Sequence, residues 1–386
     1  MYAQYATPKS HINKIWVKPM TNVTKPFLPP LDEVIPYLER IWASGVLSNN
    51  GPLHQELELA LQQYLGVKHV SLFCNATIAL ITAQQALNIR GEVITTPYSF
   101  VATSHALTWM GNNPVFVDID PVSLTLNPEK IERAITDRTT AIMPLHCYGN
   151  TCAVEAIQSV ADEYGLKVIY DACHSFGAED DGGSVLRHGD ISVVSFHATK
   201  VFNTFEGGLL VCNDPLIKQK VDHLKNFGFV DETTVVEAGI NGKMSEFNAA
   251  IGLAQLPHMP IIISKRRAID ALYRARLDGT PGVTCCTQVR QSTKNYAYFP
   301  ILIGDAFPIS RDEIYSKLRE QNIHPRRYFY PLIPEFEMYN RLPSADISHL
   351  PVAKKISEQV LCLPIYPDLG HSEVERVCDI IQSFAI

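Results

Sequence analysis

Lys200 stands at the end of DISVVSFHATK (190–200), where a run of β-branched and apolar residues gives way to histidine, threonine and lysine. A lysine carried to the mouth of a buried strand is either a solvated loop charge or an amine held ready to attack a carbonyl carbon. Glu206 is the carboxylate nearest to it along the following loop. Asp171 closes a second such run, KVIYDAC (167–173), so its carboxylate projects from the middle of a sheet. The same residue could cap the next helix, but a buried carboxylate needs a positive partner to stay charged. A protonated pyridine nitrogen about 4 Å away would gain about 4 kcal/mol at an effective dielectric near 20. Such a ring is an electron sink. CNATIAL (74–80) runs from a strand end into a helix start, where backbone amides and the Thr77 hydroxyl suit a phosphate monoester, although ordinary N-caps look alike. Desolvation and nearby positive charge should lower Lys200 toward the free amine, which then forms a Schiff base and later moves a proton between carbon centres. Phosphate cradle, pyridinium partner and amine together describe pyridoxal 5′-phosphate.

These groups need a scaffold that gathers them. From about residue 52 to 256, β-rich runs alternate with amphipathic helical stretches such as 76–87 and 153–165. The strand candidates are 69–74, 92–97, 114–120, 140–146, 167–173, 190–197 and 208–214. Apolar strands separated by helices indicate an α/β fold with a mainly parallel sheet covered on both faces. Ligands in such sheets lie beyond the carboxyl ends of the strands, which places Asn75, Thr77, Pro97, His146, Asp171 and Lys200 around one crevice. His197 shares a strand side with Ser195, and a positional role suits it better than acid–base work. Glu206, Gly207 and Gly208 should shape the turn behind the lysine.

Farther along, 245–259 reads as a helix ended by proline and 266–278 as a long connector. YAYFPILIG (296–304) reads as a strand, and Ser310 with Glu313, then Ser372 with Glu375, have the spacing of capping boxes. The chain therefore divides into an N-terminal arm (1–35), a large domain (36–265) and a smaller C-terminal α+β domain (266–386). A length of 386 residues suits more than one core. A net charge of −7 invites neither nucleic acid nor anionic lipid. Nine scattered cysteines in apolar runs read as reduced core thiols, no ligand spacing completes a metal site, and no run is long enough to span a bilayer. A soluble cytoplasmic protein is expected.

With these residues in view, the chain resembles the DegT/DnrJ/EryC1/StrS sugar aminotransferases from about residue 25 onward. The resemblance rests on SNNGPLHQELE (48–58), CNATIAL, TTPYSFVAT (95–103), FVDID (116–120), YDACHSFGA (170–178), SFHATK with EGG, GINGKMSEFNAAIGLAQL (239–256) and LPIYPDL (363–369). It implies the aspartate-aminotransferase type I fold, pyridoxal 5′-phosphate with pyridoxamine 5′-phosphate as its alternate form, Lys200 as the Schiff-base lysine and Asp171 as partner of the ring nitrogen. It further implies His174 near the ring hydroxyl, Phe100 on the ring face, and Ala76, Thr77 and Ser195 on the phosphate. Asn241 is implied to reach the phosphate of the neighbouring subunit, hence a homodimer with shared sites. Ala76 replaces the usual glycine, His174 the commoner glutamine, and Gly242 and Lys243 larger aromatic and arginine residues. The implied substrates are glutamate and a nucleotide-linked keto-sugar. The lysine loop and GINGKMSEF look most like the branch acting at C4 of dTDP-4-keto-6-deoxyglucose, giving dTDP-4-amino-4,6-dideoxyglucose. A C3 aminotransferase or a sugar dehydratase is the alternative, but dehydratases of this fold characteristically carry histidine at the position of Lys200.

Overall fold

The strand candidates of the first half pair into one seven-stranded sheet, in the order 69–73, 208–212, 191–195, 167–171, 139–143, 92–95, 113–116. The structure is a computed structural model, and it describes residues 20–286, 289 and 293–385. Strand 208–212 runs antiparallel to both neighbours, while the remaining pairs are parallel. The carboxyl ends of 69–73, 167–171 and 191–195 therefore lie at one edge, together with the start of 208–212. Continuous burial along 191–195 and 208–212 explains why these strands read as unbroken apolar runs.

Helices Pro52–Leu65 and Glu246–Gln255 bury Leu53, Leu57, Leu61, Ala249, Ala250 and Leu253 in a core shared with Phe176, Phe196 and Phe202. On the other side, Ala76–Ala86 sets Ala79, Leu80 and Ala83 against Val193 and Leu210. The small residues of this helix let it lie close to the strands it caps.

The C-terminal stretch builds a three-stranded antiparallel sheet, 283–285, 299–303 and 360–363, with its own apolar cluster around Phe299, Ile301, Ile314 and Val377. Residues Thr21–Asn22 pair in parallel with Ile323–His324. The expected arm at residues 1–19 lies outside the described residues.

Two expectations change here. The helix ahead of Pro257 stops at Gln255 as expected, and a 3-10 turn, Leu256–His258, leads directly into helix Met259–Leu277. Pro260 sits in the first turn of that helix, where a missing N–H costs nothing. The stretch 266–278 is thus the latter part of a helix, and residue 266 falls inside it. The capping box at Ser310 and Glu313 forms, but the one at Ser372 does not. Helix His371–Gln382 starts from Gly370, which puts Ser372 inside the first turn.

Candidate active site

Asn75, directly after strand 69–73, caps the helix that follows: its Oδ1 accepts the Ile78 amide at 2.9 Å. Its carbonyl takes the Ala79 amide. The amides of Ala76 and Thr77 find no acceptor among the described residues, and both residues line a cavity of about 310 Å³. Ala76 opens the helix with ordinary φ, so alanine in place of glycine carries no strain there. Gly208 packs against this turn so closely that a methyl group would lie 2.7 Å from the Asn75 carbonyl carbon. The loop Glu206–Gly208 thus presses the helix start into place, and Glu206 also faces the cavity.

Asp171 ends its strand 4% exposed. Its Oδ2 accepts the Thr103 hydroxyl at 2.7 Å, and Thr103 is in turn bonded to Ser99 at 2.6 Å. Its Oδ1 accepts the Cys173 amide at 3.1 Å. Both oxygens are held by neutral donors, and among the described residues no cation pairs with this carboxylate. Burial without a cation is costly, so the site suits a ligand that brings positive charge.

Lys200 reaches the same cavity, half-buried, and donates to the Tyr298 hydroxyl at 3.3 Å. Burial pulls its amine down, yet Tyr298, Cys173 and Asp171 outweigh burial and the net direction is upward. This corrects the expectation of a lowered lysine. Burial also pushes the Tyr298 phenol and the Cys173 thiol up.

His174 is buried, and its Nδ1 accepts the Tyr148 amide at 3.1 Å, which assigns the proton to Nε2. Burial, aided by Lys200, holds it well below the usual histidine range. Near neutrality His174 is therefore a fixed N–H donor. Ser195 lies at its strand end with its Oγ accepting the His197 amide at 3.3 Å. His197 Nδ1 accepts the Thr199 amide, which fits the positional reading. Phe100 lines the cavity with 60% of its surface exposed.

Not every expected residue arrives. His146 is fully buried, stacked on Tyr170 at 4.6 Å, with burial pushing it down to about 3. The Pro97 carbonyl accepts the Ile333 amide, and Ser99 and Phe100 take its place at the cavity. Strand ends fix the edge of the sheet, while the turn beyond each one decides which side chain faces inward. Asn241 is exposed and does not line this cavity. At Gly242 an added methyl would come within 3.0 Å of Phe73, so a larger residue needs a different turn. Lys243 donates to Asn226 Oδ1 at 3.0 Å and lies over the Phe227 ring. Arg327 is engaged with Asp312 and two tyrosine rings.

Tyr298, Tyr328 and Phe329 complete the wall, and sequence reasoning missed them. Their signal was present only as aromatic density before strand 299–303 and in HPRRYFYP. A larger hollow, about 590 Å³, lies around Asp120, Glu129 and Asp181, and neither Lys200 nor Asp171 lines it.

Comparison with known proteins gives a consistent result. Residues 31–382 match the DegT/DnrJ/EryC1/StrS aminotransferase family. The chain is 55% identical over 360 residues to a dTDP-4-amino-4,6-dideoxy-D-glucose transaminase of Shigella dysenteriae, covering 93% of this chain and 98% of that one. It is 54% identical over 361 residues to the enzyme of the same name from Escherichia coli, covering 93% and 97%. Among solved structures, DesI in the presence of its TDP-sugar product superposes with a TM-score of 0.91 at 37% identity, over 95% of this chain and 93% of that one.

Proposed function

The chain belongs to the DegT/DnrJ/EryC1/StrS aminotransferase family, and we propose that it transfers the amino group of glutamate to C4 of dTDP-4-keto-6-deoxyglucose, giving dTDP-4-amino-4,6-dideoxyglucose. The cofactor of this family is pyridoxal 5′-phosphate, and the cavity fits it. The single observation that carries the reading is Asp171: a buried carboxylate held by neutral donors, with no salt bridge among the described residues, in the same cavity as Lys200. The relatives at 55% and 54% identity, named for the 4-amino sugar, support C4 over C3. Lysine at position 200, where related dehydratases carry histidine, speaks against the lyase.

In this reading the amides of Ala76 and Thr77 and the hydroxyls of Thr77 and Ser195 hold the phosphate. Helix-start amides favour an anion through both hydrogen bonds and the helix dipole. Asp171 would pair with the ring nitrogen, and the Thr103 and Cys173 donors hold the Asp171 carboxylate in place. His174 donates Nε2–H to the ring hydroxyl, and Phe100 covers a ring face. When bound, the cofactor supplies an aldehyde that joins an amine and a ring that withdraws electrons from the attached carbon. Lys200 Nζ would be the amine that joins that aldehyde, and it would take a proton from the α-carbon of glutamate and return one to C4 of the sugar. The apolar wall of Tyr328 and Phe329 limits water around these transfers.

The proposed assembly is a cytoplasmic homodimer in which Asn241 of one subunit completes the phosphate site of the other; its exposed position outside its own cavity supports that role. Incubation with dTDP-4-keto-6-deoxyglucose and glutamate, followed by NMR of the product, tests the reading. An amine at C4 is expected; an amine at C3, or turnover only of a 3-keto sugar, refutes it.

A further inference from the structure

Tyr298 lies about a hundred residues from Lys200 along the chain, yet its hydroxyl is 3.3 Å from the Lys200 amine and its ring centroid 6.0 Å from it. The ring is held from several sides: His174 at 4.7 Å, Tyr148 at 5.5 Å and, edge-on, Tyr328 at 6.0 Å. The backbone that carries it is tied down as firmly. Asn295 donates to the carbonyls of His174 and Phe176 at 2.8 and 3.1 Å, and its Oδ1 accepts the Ala297 amide at 3.1 Å.

Arg266 provides the second tie. It is 2% exposed and, among the described residues, has no carboxylate partner. Its Nη1 donates instead to the carbonyls of Tyr296, Ala297 and Ile365 at 3.2, 3.4 and 3.1 Å. Burying an unpaired guanidinium is expensive, and burial drags Arg266 down to about 10. Two of its three contacts, Tyr296 and Ala297, go to the segment that carries Tyr298.

We propose that Tyr298 is a positioning residue for the reaction: clamped by Arg266 and Asn295, its hydroxyl holds the amine of Lys200 in line for proton transfer whenever that amine is free of cofactor. The proposal rests on reading Lys200 as the cofactor-bearing amine. A phenol oxygen that accepts from the ammonium favours the charged form. It also restricts a long side chain that otherwise has many rotamers.

The test uses Tyr298→Phe in the full-length protein loaded with pyridoxamine 5′-phosphate, where Lys200 is free. Trace acetylation of the Lys200 peptide is followed across pH by mass spectrometry, beside steady-state kcat and KM. The expected midpoint for Lys200 falls by about one pH unit and kcat drops about tenfold with little change in KM. The phenylalanine keeps the ring packing, so a purely structural role would leave the midpoint in place. An unmoved midpoint overturns the proposal, whatever happens to activity. Folded Arg266→Met, which has no donor for those carbonyls, should move the midpoint in the same direction; an unmoved midpoint there overturns the clamp. Failure of the sugar assignment alters neither labelling result.

Discussion

Replacing Gly208 with alanine probes the tightest contact behind the helix start. Gly208 opens strand 208–212 between Phe73 and Ser195 and has no left-handed φ, so alanine meets no backbone strain. The effect is purely steric. The new methyl would lie 2.7 Å from the Asn75 carbonyl carbon and 2.8 Å from the Ala76 nitrogen and Asn75 oxygen, where ordinary contact begins at 3.4 Å. Backbone on one side or the other must therefore yield by about 0.7 Å, the difference between 3.4 and 2.7 Å. Overpacking of this kind costs about 1–3 kcal/mol. The strand is fixed by ladders on both sides, so the helix start should give way and the loss should appear as cofactor affinity. At about 1.4 kcal/mol per decade this is roughly a 5- to 150-fold weaker Kd. Titration of cofactor-stripped protein by fluorescence, with thermal unfolding alongside, reads both. Unchanged cofactor affinity would refute the reasoning, even if the melting temperature fell, because the helix start would then not be what yields.

Asp171→Asn should still bind cofactor but lose turnover by about a hundredfold or more, since an amide cannot hold a ring nitrogen protonated; near-normal kcat would reduce Asp171 to a structural carboxylate that holds the Cys173 turn. Mixing Lys200→Ala with Asn241→Ala subunits should restore activity in hybrid dimers relative to either parent, and no recovery in verified hybrids would remove Asn241 from the shared site. Glu58 accepts the Leu72 amide at 2.9 Å on the strand leading to Asn75. Burial opposes its charge, but His54, Lys225 and Lys218 outweigh burial and hold its carboxyl well below the usual range. A carboxyl lowered on folding stabilises above its unfolded value of about 4.5 and loses that contribution as pH falls. Glu58→Gln should thus cost about 3 kcal/mol in urea unfolding at pH 7, with the gap to wild type narrowing below pH 4.5; a gap that is constant or widens in acid would contradict this.

The sheet was legible because its strands are buried on both faces and read as continuous apolar runs, each closed by a turn. Lys200, Asp171, Thr77 and Ser195 were legible for the same reason, as polar residues standing where such runs stop. His146 shows where that logic ends: a strand end sets position along the sheet, but the following turn sets direction, and here it turns the ring onto Tyr170. Tyr298, Tyr328 and Phe329 were hidden because they come from the distant C-terminal stretch and meet the cavity only through tertiary packing. Nothing local in YAYFPILIG distinguishes Tyr298 from an ordinary strand aromatic. Arg266 was hidden likewise, since a basic helix reads as solvated until its burial is seen. Helix Met259–Leu277 was read only as a connector because Pro260 looks like a stop, yet it falls in the first turn, where it is tolerated.

The most direct measurement is borohydride reduction of the purified, cofactor-loaded protein followed by peptide mapping. The mass of a reduced cofactor should be fixed to the peptide containing Lys200, and should vanish from Lys200→Ala. Label recovered on any other lysine of the wild-type chain would contradict the placement of the chemistry in the Lys200–Asp171 cavity.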